Sequence, residues 1–509
     1  MTHVRLLTFT LTLLICLSGS MGALCQIKNF DKEGRQLIRL SKAGDAIDAH
    51  DGEIAQFNGV YYLYGTSYDC GFEWGNKGAP FCGFKVYSSK DLVNWIDKGY
   101  LFDAKTPVWQ SRCDGKTYGC FRPHVVYNKL NNNYVLWINV YDNVIGYRVF
   151  TSKSPVGPFK ETAEPELAVN ADKPAAGLNN GDHDIFIDDD GRGYIAYTDW
   201  RTKGTIVIEK LSNDYLSGTG ECVKMVTPGS TEAPALFKRK GRYYVTYSDP
   251  NCGYCSGTGT SYRMAGNPLG PWSEGVSISN NSCGGQPSFV STIKIKSDDI
   301  FLYGSDLWNN AAKNEALANY YWAQLKFDTD GSIKPLQCAE AYLKAKVSSL
   351  QKRVVASMPE KNYFIPKDTI DKKTQWGQTF VAYRNGRLTK IEMVLFKNHH
   401  PDKDLEIYIC AIANNKVQMS APIFKKIIPV ADIGWSAKKL TILPGFKVKK
   451  GRGYAAILRT TSTVGYYGFL AQKQSKLAGI YLTGSKDDGN TFTKIPGETM
   501  HLKTVIKAL

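Results

Sequence analysis

Three acidic residues, Asp51, Asp182 and Glu232, each lead a short apolar stretch with the composition of a β-strand. The stretches read DGEIAQFNGVYYLYG, DHDIFIDDDGRGYIAYTD and EAPALFKRKGRYYVTYS. In each, the apolar strand is followed by a polar or glycine turn and then by an aromatic-rich strand. A single carboxylate in this position usually caps or solvates the end of a strand. Three carboxylates at the same position of three related segments indicate that they share one cavity.

Carboxyl groups that share a cavity can hydrolyse a glycosidic bond. The reaction needs a proton delivered to the leaving oxygen and a base or nucleophile on the opposite face of the sugar. A third carboxylate can raise the pKa of the acid by like-charge repulsion and keep it protonated near neutral pH. The acidic set therefore indicates a hydrolase that acts on sugar acetals.

The strand–turn–strand unit recurs in two further segments, FRPHVVYNKLNNNYVLWINV and GQPSFVSTIKIKSDDIFLYGSDLW, and a third strand follows each copy. Units of this size that repeat every ~50–70 residues are typical of β-propeller blades. One such sheet cannot bury both of its faces alone, whereas several packed radially can. We therefore predict an all-β fold, with a five-bladed β-propeller catalytic domain over residues 26–345.

The first strand of every propeller blade lines the central channel. The residues that lead the five first strands should therefore converge on one funnel. These residues are Asp51, Arg122, Asp182, Glu232 and Gln286.

These segments resemble glycoside hydrolase family 43, the five-bladed propeller glycosidases, over roughly residues 45–340. The segment DGEIAQFNGVYY is similar to the first-blade motif of the family, which implies that Asp51 is the general base. In the same way DHDIFIDDDG implies that Asp182 modulates the pKa of the acid, and EAPALF implies that Glu232 is the general acid. The family inverts anomeric configuration, so the resemblance implies that Asp51 activates water while Glu232 protonates the leaving group.

The segment DAHDGEI is also similar to the AHGGG segment of the branch that contains exo-β-1,3-galactanases. In that branch a fifth-blade Gln replaces the first-blade Asp, whereas this chain carries both Gln286 and Asp51. Phe121 stands where those galactanases carry a Glu. The resemblance implies an exo-acting glycosidase that removes terminal arabinofuranosyl, galactosyl, galactofuranosyl or xylosyl groups. The alternative is a non-catalytic carbohydrate-binding propeller, which would not need to retain three carboxylates.

Other residues near the predicted funnel are candidates for substrate binding. They are His50, Arg122, His183, Gln286 and Trp308, with Trp74, Trp109 and Trp200 in nearby loops. Asp48 and Asp184 compete with Asp51 and Asp182 for the catalytic positions.

No metal or cofactor is predicted. The histidines His50, His124 and His183 suit hydrogen bonding better than a metal site. The DDDG turn lacks the ligand run and the terminal Glu of a calcium loop, so structural calcium is not indicated.

Residues 346–509 lack the blade repeat and contain alternating strands, which predicts a β-sandwich accessory domain that binds carbohydrate or braces the enzyme. The formal net charge of the chain is +16, and almost all of it falls in this part. A basic module in an exported protein favours an acidic glycan over nucleic acid as partner. We expect a monomer.

Residues 1–25 carry the features of a secretory signal peptide: Arg5, the apolar run LLTFTLTLLICL and small residues before Cys25. Leu24 disfavours a lipid anchor at that cysteine, and no later segment is long and apolar enough to span a membrane. Twelve cysteines fit a secreted or periplasmic location. They predict disulfides that close the loops 70–82 and 113–120, and a cluster of Cys252, Cys255 and Cys283.

Overall fold

The protein is all-β in a computed structural model, as the sequence predicts. The structure describes residues 24–73, 80–106, 113, 119–140, 146–169, 180–249, 257–295, 298–308, 314–338, 343–346, 369–473 and 479–508. Within these ranges the 3₁₀ helices are single turns at Trp200–Thr202, Glu315–Leu317 and Val430–Asp432. No helix of the described chain is long and apolar enough to cross a membrane.

The first part of the chain forms antiparallel sheets whose strands follow one another in sequence order. Sheet 1 contains His50–Phe57, Val60–Thr66, Phe84–Ser89 and Ile96–Tyr100. Sheet 2 contains Cys120–Asn128, Asn133–Val140, Tyr147–Ser152 and Lys160–Ala163. Sheet 3 contains Asn180–Ile187, Gly193–Asp199, Thr205–Leu211 and Gly218–Val223. Sheet 4 contains Glu232–Arg239, Arg242–Ser248, Thr260–Ala265 and Val276–Ser279. Sheet 5 contains Gln286–Ile295, Asp298–Leu307 and Asn319–Gln324.

The first strands of these sheets contact one another in order, and the first strand of sheet 5 contacts that of sheet 1. Four-stranded sheets fit the predicted blades, and their first strands carry the residues predicted to lead each repeat. Outside this ring, Leu24–Ile27 pairs with Leu343–Lys346.

Each first strand has an irregular register near its start. The irregularities lie at His50/Glu53, Phe121/His124, Asn180/His183, Glu232/Ala235 and Pro287/Phe289. A β-bulge bends its strand and redirects the side chains around it. The repeated bulge therefore turns the leading side chains of all the sheets toward one end of the ring.

The second part of the chain forms two larger sheets that share one hydrophobic core. One sheet contains Gln375–Val381, Leu405–Ala413, Lys416–Val417, Phe424–Ile428, Gly453–Arg459, Leu482–Ser485 and Thr493–Ile495. The other contains Gly386–Asn398, Lys438–Ile442, Phe446–Val448, Tyr466–Phe469 and Leu502–Lys507, and Ala471–Lys473 pairs with Glu498–Met500. The predicted domain boundary near residue 345 and the predicted leader fall largely outside the described residues.

Three disulfides join described cysteines: Cys70–Cys82, Cys113–Cys120 and Cys283–Cys338. The first two close the loops that the sequence predicts. The expected grouping of Cys283 with Cys252 and Cys255 needs correction, because Cys283 pairs with Cys338 from a segment with no cysteine motif. Cys252 and Cys255 lie outside the described residues.

Gly65 lies where the first two strands of sheet 1 approach each other closely. A Cβ at this position would lie 2.0 Å from the carbonyl carbon of Ala49 and 2.4 Å from the amide nitrogen of His50. We expect Gly65→Ala to lower the free energy of unfolding by about 1–3 kcal/mol, because neighbouring backbone would have to move. Denaturant unfolding of the full chain measures the change. Gly266→Ala, whose Cβ would meet nothing within 4 Å, is the matched control, and an equal effect of both changes would contradict the prediction.

Candidate active site

Asp51 lies at the bulge of sheet 1 in a left-handed conformation, with φ of 54°. Its Oδ1 accepts hydrogen bonds from the Thr66 hydroxyl at 2.7 Å and the backbone N–H of Arg122 at 3.1 Å. Its Oδ2 accepts a hydrogen bond from the Tyr68 hydroxyl at 2.5 Å. The backbone N–H of Asp51 donates to Oδ2 of Asp306 at 3.0 Å. Both the carboxylate and the backbone of Asp51 are therefore held in place.

The pKa of Asp51 reflects opposing effects. Burial raises it to about 6, while the charge of Arg122 and the hydrogen bonds from Tyr68 and Thr66 act to lower it. The group is therefore ionised above about pH 6, which suits a general base at neutral pH.

Glu232 leads the first strand of sheet 4, and its side chain is buried. Gln286 Nε2 donates to Glu232 Oε1 at 2.5 Å, and Trp308 Nε1 donates to Gln286 Oε1 at 3.1 Å. Burial, followed by the negative charge of Asp182, raises the pKa of Glu232 to about 8, against the opposing effects of Arg122 and Gln286. Glu232 is therefore protonated at neutral pH, which suits a general acid.

Arg122 connects the two sides of the site. Its Nη2 lies 2.8 Å from Oδ2 of Asp182, and its Nη1 donates to the backbone carbonyls of Pro287 and Ser288 at 3.1 and 3.3 Å. Because its own N–H donates to Asp51, this one residue links the first strands of sheets 1, 2, 3 and 5. The structure thus brings together all the leading residues that the sequence predicts to converge.

Asp48 and Asp184, the alternatives for the catalytic positions, make hydrogen bonds with other segments of the fold. Asp48 accepts hydrogen bonds from the Ser67 hydroxyl at 2.5 Å and the backbone N–H of Tyr68 at 3.0 Å. Asp184 accepts from the backbone N–H of Leu236 at 2.6 Å, deeper along its strand than Asp182. Both aspartates therefore hold backbone segments in position.

His50 and His183 do not lie where the sequence analysis expects them. The ring of His50 is fully buried and stacks on Tyr320 at 5.0 Å. His183 is 1% exposed and packs against the rings of His124 and Tyr147 at 5.2 and 5.1 Å. The expectation of sugar contacts is corrected, because both imidazoles are enclosed among aromatic rings and act as core residues.

The charge states of these histidines differ. Burial opposes protonation of His50, yet Asp306 and Asp48 raise its pKa to about 9. Burial and the positive charges of His124 and Arg122 hold the pKa of His183 well below its usual range.

Of the tryptophans that the sequence points to, Trp308 is half-buried and touches the site through Gln286. Trp200 lies against Gly181 and Gly204. Trp74 and Trp109 lie outside the described residues.

A second charged group lies deeper along the first strands. Glu53, His124 and Asp184 are buried, and their potential ligand atoms lie within 4.8 Å of one another. His124 Nδ1 is 3.1 Å from Asp184 and 3.7 Å from Glu53. Although burial opposes its charge, the two carboxylates raise the pKa of His124 to about 9. A protonated His124 balances them, and the same three side chains could hold a cation.

Glu53 and Asp184 also border a cavity of about 650 Å³. This cavity lies at the end of the ring opposite Asp51 and Glu232, because its lining residues follow the bulges along the first strands. It is therefore separate from the site that the five leading residues form.

Sequence reasoning missed Thr66, Tyr68 and Asp306. Thr66 and Asp306 lie at or next to the ends of second strands, and the antiparallel register places Thr66 opposite His50, the neighbour of Asp51, and Asp306 opposite Gln286. The similar phrases YLYGTSY and FLYGSDL in the first and fifth repeats are the signal that could have identified them.

Comparisons with known proteins agree with this geometry. Residues 44–288 match glycosyl hydrolases family 43. The chain is 28% identical over 231 residues to a β-D-galactofuranosidase of Aspergillus niger, covering 44% of this chain and 62% of that protein. It is 26% identical over 293 residues to an arabinoxylan arabinofuranohydrolase of Bacillus subtilis, covering 51% of this chain and 55% of that protein. The chain thus spans little more than half the length of these relatives.

Solved structures share the fold. An exo-β-1,3-galactanase from Clostridium thermocellum matches with a TM-score of 0.52 at 19% identity, covering 92% of this chain and 98% of that one. A β-1,3-galactosidase of family GH43 solved with galactodeoxynojirimycin matches with a TM-score of 0.50 at 23% identity, covering 59% of this chain and 97% of that one. All the leading side chains of the site lie within residues 44–288, the part of the chain that matches glycosyl hydrolases family 43.

Proposed function

We propose that this protein is an inverting, exo-acting glycoside hydrolase that works outside the cytoplasm as a monomer. In this proposal residues 26–345 form a five-bladed catalytic propeller, and residues 346–509 form an accessory β-sandwich. The observation that carries it is the contrast between two buried carboxyl groups. Asp51 receives three hydrogen bonds that favour its ionised form, whereas Glu232 receives one from an amide and feels the charge of Asp182.

The reaction follows from these two environments. Asp51 takes a proton from a water molecule, which attacks the anomeric carbon, while Glu232 gives its proton to the leaving oxygen. Asp182, held by Arg122, keeps Glu232 protonated until the sugar arrives. Sheets 1 and 4 are not neighbours in the ring of first strands, so Asp51 and Glu232 approach from different sides. An inverting mechanism requires about 6.5–9.5 Å between such carboxyl groups, to leave space for the water.

The proposed substrate class follows from the relatives. Proteins named as a galactofuranosidase and an arabinofuranohydrolase are similar to part of this chain. We propose a terminal arabinofuranosyl, galactosyl, galactofuranosyl or xylosyl group, with the half-buried ring of Trp308 as a stacking surface. A purely carbohydrate-binding propeller is not favoured, because binding does not require an acid and a base with opposite protonation.

The proposal is tested first by product stereochemistry. The full chain is incubated with aryl arabinofuranoside, galactofuranoside, galactopyranoside and xyloside, and proton NMR records the first sugar anomer formed. We expect one of these to be cleaved with inversion and without transfer of the sugar to added alcohol. Retention of configuration would contradict the assignment of Asp51 as a base. Inactivity on all natural and aryl substrates would contradict the proposal that this protein is a glycoside hydrolase.

Glu232→Gln tests the acid. An amide cannot donate the required proton, so turnover of substrates with poor leaving groups should fall by about 10²–10⁴-fold, and activated aryl glycosides should lose less. Because the raised pKa keeps Glu232 protonated below about pH 8, wild-type kcat/KM should fall as pH rises through that value. The variant should lack this alkaline limb. Glu274→Gln, at an exposed side chain, is the control, and equal loss on both leaving-group classes would show that Glu232 is not the acid.

A basic surface in the second part of the chain supports an acidic glycan as partner. Arg387 lies between Lys447 and Lys507 on adjacent antiparallel strands, and all three side chains are exposed. Like charges directly opposite in a sheet destabilise it. In the described part of the chain, no carboxylate oxygen lies within 4 Å of these three side chains. We propose that a polyanionic glycan binds across the basic row formed by Lys447, Arg387 and Lys507. The row would thereby bring the substrate to the enzyme.

The role of the basic row is tested by measuring how tightly the full chain binds polygalacturonate at two salt concentrations. We expect Arg387→Glu with Lys507→Glu to weaken binding several-fold at low salt and to flatten its salt dependence, because screening acts on the lost charges. Lys416→Glu, on the other sheet, should bind as the wild type does. Equal binding by all three proteins, or wild-type binding that is independent of salt, would refute the role of the row.

A further inference from the structure

The loop after the second strand of sheet 1 controls the surroundings of Asp51. It carries Tyr68, which is 3% exposed and donates its hydroxyl to Asp51 Oδ2 at 2.5 Å. The backbone N–H of the same residue donates to Asp48 at 3.0 Å. Any shift of this loop therefore changes a hydrogen bond to the proposed base.

A turn of the second part of the chain contacts this loop. The backbone N–H of Ser436 donates to Asp69 Oδ1 at 2.8 Å, and Lys438 forms an ion pair with the same carboxylate. The indole of Trp435 lies directly over Gly71, where a Cβ would be only 2.7 Å from the ring. Gly71 has φ of +89°, so this position combines a left-handed backbone with no room for a side chain.

Trp435 is itself held from several sides. Lys397 Nζ lies 4.1 Å from its ring centroid, and the ring of His400 meets it edge-on at 5.4 Å. The backbone carbonyl of Trp435 accepts a hydrogen bond from Asn314 Nδ2 at 3.2 Å. The indole is therefore a fixed surface against which the loop rests.

The same indole packs on an aromatic cluster beside the site. The cluster contains Tyr68, Phe72, Phe121, Ala316, Cys82 and Trp308. Tyr68 and Trp308 meet at 5.9 Å in a T-shaped arrangement. Tyr68 touches Asp51 directly, and Trp308 reaches Glu232 through Gln286. The cluster is thus in contact with the supports of both proposed catalytic carboxyl groups.

We infer that Trp435 is a positioning residue of the active site, supplied by the second part of the chain, which seats the 67–73 loop so that Tyr68 stays hydrogen-bonded to Asp51. The expected changes in kcat and in the pH profile rest on the proposed function. The expected change in the 67–73 loop rests on packing alone. The inference gives the second part of the chain a role in catalysis that is separate from glycan binding. A contact that merely joined two sheets would not change the protonation of Asp51.

The kinetic test compares Trp435→Ala with Tyr68→Phe and with the double variant. Loss of the Tyr68 hydrogen bond should raise the pKa of Asp51, because that bond favours the ionised form. Since the base must be ionised, the acidic limb of the kcat/KM profile should move to higher pH in both single variants. kcat should fall about tenfold or more, and the double variant should be no worse than Tyr68→Phe. Trp435→Phe should recover part of the loss.

Leu443→Ala, at an exposed side chain of the same part of the chain, is the matched control and should leave the profile unchanged. Gly71→Ala is the second variant, because its Cβ would push the indole away without removing it. An unmoved acidic limb in Trp435→Ala and Gly71→Ala, or additive losses in the double variant, would overturn the inference.

Hydrogen–deuterium exchange of the 67–73 segment separates this inference from the proposed function. Trp435→Ala should increase exchange there, and Leu443→Ala should not, whether or not the protein cleaves a glycoside. Unchanged exchange in an active enzyme would refute the positioning role alone. Increased exchange in a protein that proves inactive on every glycoside would uphold the loop contact and refute the proposed function and, with it, the catalytic role of Trp435.

Discussion

The burial of Arg122 is the constraint on which the rest of the site depends. A guanidinium that is 3% exposed loses most of its hydration, and it is stable only where carboxylates and carbonyls replace the water. Asp182 supplies the carboxylate, and the backbone of sheet 5 supplies the carbonyls. The same charge lowers the pKa values of both Asp51 and Glu232 against the effect of burial. Without this cation, three buried carboxyl groups in one site would favour sharing protons over keeping distinct states.

The division between the proposed base and the proposed acid arises from local donors and charges. Asp51 and Glu232 are both buried at the starts of first strands, so burial alone would raise both pKa values. They diverge because Asp51 accepts three hydrogen bonds, two from hydroxyls at the end of a neighbouring strand and its loop, whereas Glu232 accepts one from Gln286 and lies close to the negative charge of Asp182. A repeated fold thus produces different chemistry from equivalent positions by surrounding each position with different donors and charges.

The sequence predicted the part of the site that the repeat itself determines. Asp51, Arg122, Asp182, Glu232 and Gln286 could be found because each occupies one position of a visible repeat, and a closed ring brings equivalent positions together. Thr66 and Asp306 were not predicted as site residues because their placement depends on the antiparallel register of the second strands. His50 and His183 were misplaced because each is adjacent to a leading aspartate, and neighbouring side chains of a strand point to opposite sides. Trp435 could not be found, since nothing in its local sequence indicates a contact with residue 71.

The contact of Trp435 with Gly71 changes how the second part of the chain should be understood. A module that only bound glycan would need no more than a tether to the first part of the chain, whereas here the second part packs an indole against the loop that supports the proposed base. Because the loop also carries Cys70, which is bonded to Cys82, two adjacent residues in the middle of the loop are held, one by a covalent bond and the other by packing on Trp435. A loop restrained in this way loses little further entropy when substrate binds, and such preorganisation lets the donors of Asp51 act without rearranging during the reaction.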